Sequence, residues 1–319
     1  MNHFDNDKWW LEAEPEIDVD LCGETLNTEV LIVGGGTTGL TAAASCAELG
    51  LDTLLIEINK HFVPMRKEIG AIGSRIQKEE GVNIDANEVV RQMLMYSSSY
   101  IDQTLPLIWA RESGEMLDWY ENLITARGAK MFLQGGYDFE VKAGSFTKVP
   151  AGHNSEWPEG MTGVRVMTQY AESFGARFLT ETGLVKLITE EGRVTGVVAK
   201  DMKSGGLIKI EASKGVIIAT GGYAKNERML KALQTETVVM SGLTISEGHT
   251  LGDGIKACLW AGSKMDDCHE SILFDRCAIM PDETAETRKL TGVPTEFLGQ
   301  PFLKVDLRGR RFINESIPY

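Results

Sequence analysis

The residues Gly34-Gly35-Gly36-Thr37-Thr38-Gly39 carry the spacing GxGxxG. An apolar run, Val30–Val33, leads into them, and Glu57 follows Gly39 by 18 residues at the end of a second apolar run. This spacing suits a dinucleotide. Gly34 permits a tight turn, Gly36 lets backbone approach a pyrophosphate, and Gly39 lets a helix close on the preceding strand. The helix opening at Thr37 and Thr38 would present free N–H groups and its dipole to the anion. A carboxylate at 57 suits a free ribose, hence FAD or NAD rather than NADP.

Two further glycine groups stand later in the chain. In Gly215–Asn226, GVIIATGGYAKN, an apolar strand ends in Thr220-Gly221-Gly222, a turn open to close ligand approach or to any strand–helix connection. In Gly252-Asp253-Gly254, Asp253 either caps a following helix or meets a ligand. The last residues read RGRRFINESIPY, ending at Tyr319. A phenol there is a competent proton donor, and a base where its surroundings lower its pKa from about 10. The alternative is that Tyr319 only packs. Five cysteines, at 22, 46, 258, 268 and 277, form no CxxC or CxxCH spacing and read as reduced, mostly buried thiols.

These groups need elements to position them. The stretch 29–60 reads strand, glycine turn, helix (Leu40–Leu49), strand (Thr53–Ile58). Residues 85–127 are helical by period, capped by Asp85 or Asn87 and interrupted at Leu105-Pro106, with Tyr96, Tyr100 and Tyr120 on this excursion. Residues 130–165 are loop-rich, and 164–175 return to helix. From 176 to 219 the pattern is β, with turns at Glu191-Gly192 and Gly205-Gly206. Helices follow over Ala224–Gln234 and Gly254–Gly262. The composition, 43% apolar and 24% charged over 319 residues, is that of a globular protein with a sizeable core. A net charge of −14 argues against nucleic acid or an anionic membrane as partner. No apolar run reaches the roughly 18 residues of a membrane span, and the acidic start lacks a signal peptide's basic and apolar regions. The expected location is cytoplasmic.

Together, EVLIVGGGTTGL, VIIATGGYAKN, GDGIKACLWAGS and GRRFINE resemble, in order and spacing, the flavoprotein family of fumarate reductase and succinate dehydrogenase. The resemblance covers about residues 28–319. It implies an α/β fold: a Rossmann-like FAD-binding parallel sheet with an added β-meander, then part of an α+β capping domain. The polar, acidic residues 1–28 read as a surface arm, and the resemblance places an FAD domain over 29–270 and the start of the capping domain over 271–319. The family's return to the FAD domain is missing, so the chain is expected to be a fragment. FAD is the implied cofactor, with Ile58, Gly70, Ala71, Gly73, Ser74 and Val185 joining the residues above as cofactor contacts. Family members usually show Gly-Gly-Asn after the ribose carboxylate, and EINKHFVPMRKEIGAIGSR departs from that.

The NESxPY ending is similar to that of ketosteroid dehydrogenases, in which the tyrosine exchanges the substrate proton. Tyr319 stands where fumarate reductases have their proton-delivering arginine. Thr295-Glu296 resembles the pair that binds the substrate carboxylate, although Glu296 reads equally as a solvated loop residue. The clamp histidine of fumarate reductases has no counterpart. The resemblance therefore implies an oxidoreductase of CH–CH bonds next to a carbonyl, with hydride passing through flavin N5 and the proton through Tyr319. The substrate would be a small molecule such as an enone or steroid, and electrons would pass to or from an external carrier. Two alternatives stay open: a fumarate-type reductase of an unsaturated acid, and a non-catalytic FAD-binding fragment.

Overall fold

The computed structural model describes residues 10–65, 67–97, 101–133, 152–234, 249–266, 303 and 305–312. Its centre is a six-stranded sheet. Strand β1 (Glu24–Val33) lies between β2 (Thr53–Ile56) and β9 (Leu207–Ile218), parallel to both. β6 (Arg177–Leu179) extends the parallel part beyond β2. On the other side β9 runs antiparallel to β8 (Arg193–Asp201), which pairs antiparallel with β7 (Thr182–Glu190), giving the order β6-β2-β1-β9-β8-β7. This is the parallel sheet plus β-meander that the sequence implies. The tight β7–β8 turn uses Glu191 and Gly192, both at positive φ (51° and 78°), as a two-residue hairpin that follows the strand twist requires.

The apolar runs are continuous because both faces of the parallel strands are covered. Val30, Ile32 and Leu55 face α1 (Thr37–Glu48), α4 (Thr104–Thr125) and α5 (Gly163–Ser173). Leu31, Val33, Leu54 and Ile56 face the opposite way, with the meander residues Leu187, Val197 and Ile210 and with Ala257 of a helix over Asp253–Trp260. Leu31, Ile32, Leu54, Leu55 and Ile56 are fully buried; each such side chain contributes roughly 1.5–3 kcal/mol. The α1 face is small, with Ala43, Ala44 and Ala47 buried, which lets the helix sit close to the sheet. A second sheet, β3 (Ile69–Gly70), β5 (Gly152–Glu156) and β4 (Lys130–Leu133), lies beside α2 (Arg75–Glu79) and α3 (Ala86–Tyr96).

Several expected boundaries move. β1 begins at Glu24, because Glu24–Thr28 pair with Ile208–Ala212, so the arm ends earlier than residue 28. The runs LIKIEAS and GVIIAT are one strand, β9, whose register slips opposite Thr28 and Val30. α3 ends at Tyr96, and α4 runs from Thr104 through Pro106, so the proline does not interrupt it. Pro106 sits in the first turn of α4, where a missing N–H costs little. Asn226 caps α6 (Glu227–Leu233) and delays its start beyond Ala224. Gly252, at φ 78°, precedes the Asp253–Trp260 helix (α7), so Asp253 is its first residue and not its cap. Among the cysteines, Cys22, Cys46 and Cys258 are free and half-buried rather than buried, and burial raises the thiol pKa of Cys46 and Cys258. Cys268 and Cys277 lie outside the described residues.

The N-terminal arm is anchored on the sheet. Trp10 is buried, Trp260 Nε1 donates to the Glu12 carbonyl (2.9 Å), and Lys186 pairs with Glu14 (2.6 Å). No helix among the described residues is long and apolar enough to cross a membrane.

Tyr120 sits in the core between α4 and α5. Its hydroxyl is buried against Gly163 and has no hydrogen-bond partner among the described residues. Burial pushes its pKa up to about 12. An unmatched buried hydroxyl costs about 1–3 kcal/mol. Tyr120→Phe should therefore raise Tm, by about 2 °C per kcal/mol regained, in a thermal melt. A lowered Tm would mean that the hydroxyl does have a partner. The Tyr96 side chain and Tyr100 lie outside the described residues.

Candidate functional site

The sheet order reverses at β1: the chain leaves through α1 to β2 on one side, and β9 arrives on the other. A crevice outside the carboxyl ends of such strands is where open α/β sheets bind ligands. A cavity of about 190 Å³ lies there. It is lined by the glycine turn after β1, by Glu57 and Ile58 after β2, and by Thr220 and Gly221 after β9, with Asp253 of α7 closing it.

The three glycines of the motif are required for different reasons. Gly34 has φ 108°, and a Cβ there would strike the Ala219 carbonyl. A Cβ on Gly39 would fall well inside contact with the Gly34 carbonyl oxygen, so the helix can close on the turn only with glycine. Gly36 differs, since a Cβ there would meet no atom of the described residues within 4 Å. Packing among the described residues therefore does not require glycine at 36, and close approach of a ligand to the backbone is a reason for it. Gly36 also precedes α1 without a side-chain cap, and the first turn holds no acidic residue. The N–H groups of Thr37 and Thr38 thus head a helix of 12 residues with its positive end bare, an anion site by helix geometry alone.

Glu57 is buried at 4% exposure. Its Oε2 accepts from Gly35 N–H (2.6 Å), and its Oε1 accepts from Asn59 N–H (2.8 Å) and Nδ2 (2.7 Å). A carboxylate offers about four lone-pair sites, so these bonds leave room for a hydroxyl donor. Glu57 braces the glycine turn while facing the cavity. Phe62 lies over Gly35 and packs edge-to-face on Phe178 (5.6 Å between ring centroids).

The remaining sequence candidates divide. Val185 is the bulged residue of β7, and its neighbours Leu184 and Thr182 line the cavity instead. Gly222 follows Gly221 just outside the lining, open on its Cβ side. Gly70, Ala71, Gly73 and Ser74 do not line this cavity. Gln77 gathers them: its Nε2 donates to the Ala71 carbonyl (2.9 Å) and its Oε1 accepts from Gly73 N–H (2.6 Å). Ser74 caps α2 and meets buried His153 at 2.8 Å. Thr295, Glu296 and Tyr319 lie outside the described residues. The sequence reading missed Asn59, Val63, His249 and Thr250, which also line the cavity. His249 stands four residues before Asp253, a spacing that signals contact only once α7 and its lead-in are placed. No cluster of metal-ligating side chains occurs among the described residues.

The FAD binding domain family model matches residues 29–319. The chain belongs to that family. Its cofactor is FAD, and the bare helix N-terminus, the ligand-side Gly36 and the spare acceptor capacity of Glu57 fit a dinucleotide. The chain is 24% identical over 296 residues to the vinyl phenol reductase of Lactiplantibacillus plantarum, covering 91% of this chain and 57% of that protein. It is 24% identical over 329 residues to a fumarate reductase (cytochrome) of Shewanella frigidimarina, covering 97% and 51%. It therefore spans about half the length of these relatives. The 3-ketosteroid-Δ4-(5α)-dehydrogenase of Rhodococcus jostii shares the fold, with a TM-score of 0.63 at 20% identity, over 79% of this chain and 57% of that one.

Proposed function

We propose that this chain carries the FAD site of an oxidoreductase that adds or removes two hydrogens across a carbon–carbon bond beside a carbonyl. The observation that carries the reading is the cleft at the β1 switch point, where a Cβ on Gly36 would meet none of the described residues and the α1 N-terminus has no side-chain cap. Relatives named vinyl phenol reductase and fumarate reductase support reduction of an activated alkene as the chemistry. The ketosteroid dehydrogenase likeness concerns the fold.

Bound FAD supplies hydride acceptance and donation. The chain's residues do the rest. The α1 N-terminus holds the pyrophosphate, and Glu57 accepts a ribose hydroxyl while keeping the glycine turn in shape. Residues 29–270 form the FAD domain, and 271–319 begin the substrate side. There Tyr319 delivers a proton to the carbon next to the carbonyl in reduction and removes it in dehydrogenation. Thr295 and Glu296 stand beside the substrate. A small molecule is the substrate, and an external carrier exchanges the electrons.

The test is spectroscopic. Protein loaded with FAD is reduced anaerobically with dithionite and mixed with a cyclic enone, a steroid enone, a vinyl phenol or fumarate. Return of the oxidised flavin bands with one of these, faster than for free reduced FAD, is the expected result. Loaded protein whose reduced flavin none of them reoxidises would count against the reading.

A further inference from the structure

The wall of the cleft opposite Glu57 is built from residues to which neither the glycine motif nor the ribose carboxylate assigns a role. Thr250 lines the cavity, and its hydroxyl oxygen is buried with no hydrogen-bond partner among the described residues. Only one other buried side-chain atom there shares that condition, the Tyr120 hydroxyl in the core. A buried hydroxyl left unmatched is unfavourable unless something supplies the partner. Thr250 faces a cofactor cleft, where that partner is at hand. His249 also lines the cavity, and its Nε2 lies 3.2 Å from Asp253 Oδ2. Asp253 Oδ1 lies 3.6 Å from Lys256 Nζ, which reaches Glu12 of the N-terminal arm at 3.3 Å. The Asp253 carboxylate is thus held from two sides, by the His249 imidazole and by the Lys256 ammonium.

The wall is rigidly placed. Lys225 N–H donates to the Thr250 carbonyl (2.9 Å), and Asn226 Nδ2 donates to the Leu251 carbonyl (2.9 Å). Gly252 turns the chain at φ 78°, and a Cβ there would crowd the Met229 sulfur. Both residues are therefore held in the cleft wall that the Thr220-Gly221 turn also lines.

We propose that His249 and Thr250 are cofactor-site residues: Thr250 donates its hydroxyl hydrogen to an oxygen of the FAD pyrophosphate–ribityl chain, and His249 acts as a positioning residue for Asp253. The inference rests on FAD as the ligand of this cleft.

The test is the equilibrium affinity of the FAD-free protein for FAD, read by quenching of flavin fluorescence. Thr250→Val should weaken binding by about tenfold, the loss of one well-placed hydrogen bond. Thr250→Ser should stay within about twofold of wild type. Without FAD, the Thr250→Val melt should not fall, because the substitution removes an unmatched hydroxyl. His249→Ala should also cost about tenfold, and nothing further in an Asp253→Asn background, because it acts through that carboxylate. Wild-type affinity in Thr250→Val, or an equal loss in Thr250→Ser, would overturn the threonine's role. Additive losses for His249 and Asp253 would overturn the positioning role. Wild-type protein that takes up no FAD would overturn the cofactor assignment beneath both.

Discussion

Gly36→Val should abolish measurable FAD binding, by more than about a hundredfold in Kd, and leave the fold standing. The two halves of this result come from the same fact. A Cβ at 36 meets no atom of the described residues within 4 Å, so the melt of the FAD-free protein should move little. The backbone of 36 heads α1 with no cap, so an isopropyl group there stands between the helix N–H groups and the pyrophosphate. Gly39→Ala is the contrasting control. Its Cβ would collide with the Gly34 carbonyl oxygen, and relieving that collision means lifting α1 off β1. That variant should lose both soluble folded protein and cofactor. Circular dichroism with flavin fluorescence separates the outcomes. A Gly36→Val protein that binds FAD like wild type would mean the pyrophosphate does not approach this turn.

Tyr319→Phe should lower kcat by about 10²–10⁴ while KM and the bound-flavin spectrum stay near wild type. That range is typical of a general acid or base, and the substitution removes one oxygen without changing the ring. The pH–rate profile should also lose the limb that belongs to the phenol. A packing role predicts unchanged turnover and a change in stability instead. Tyr319 lies outside the described residues, so kinetics of the active enzyme decide this point.

The nucleotide half of the site was legible in the sequence because its rules are local. Gly34, Gly36, Gly39 and Glu57 are fixed by a strand, a turn and a helix within about 30 residues, and all fall where that logic puts them. The meander was legible from alternation and from Glu191-Gly192. What escaped depends on distant pairing. The reach of β1 back to Glu24 is set by Ile208–Ala212 across the sheet, and nothing in ETLNT alone distinguishes strand from arm. Pro106 reads as a breaker, yet a helix that starts two residues earlier accommodates it. At Val185 a β-bulge shifts the register, and Thr182 and Leu184 line the cleft, which strand alternation alone does not reveal. His249 and Thr250 join the site only through the fold of the chain after Asn226. Gly70–Ser74 look like a cofactor loop by their small residues, and the sequence does not show that Ala71, Gly73 and Ser74 bond to Gln77 while the Gly70 carbonyl accepts from Trp109.

The pairing of β1 with β9 also sets an order of events during synthesis. Leu31 finds β2 early, through Leu54, but its other edge waits for Val216. At roughly 5–20 residues per second, a ribosome takes about 10–40 s to cover that distance. Throughout it, the apolar half of β1 has one open edge and the face that packs on the meander uncovered. The glycine turn exists within the first sixty residues, yet the cleft around it cannot close before α7 has left the exit tunnel. A complete cleft for the cofactor therefore forms only late in synthesis, once β9 and α7 have joined β1.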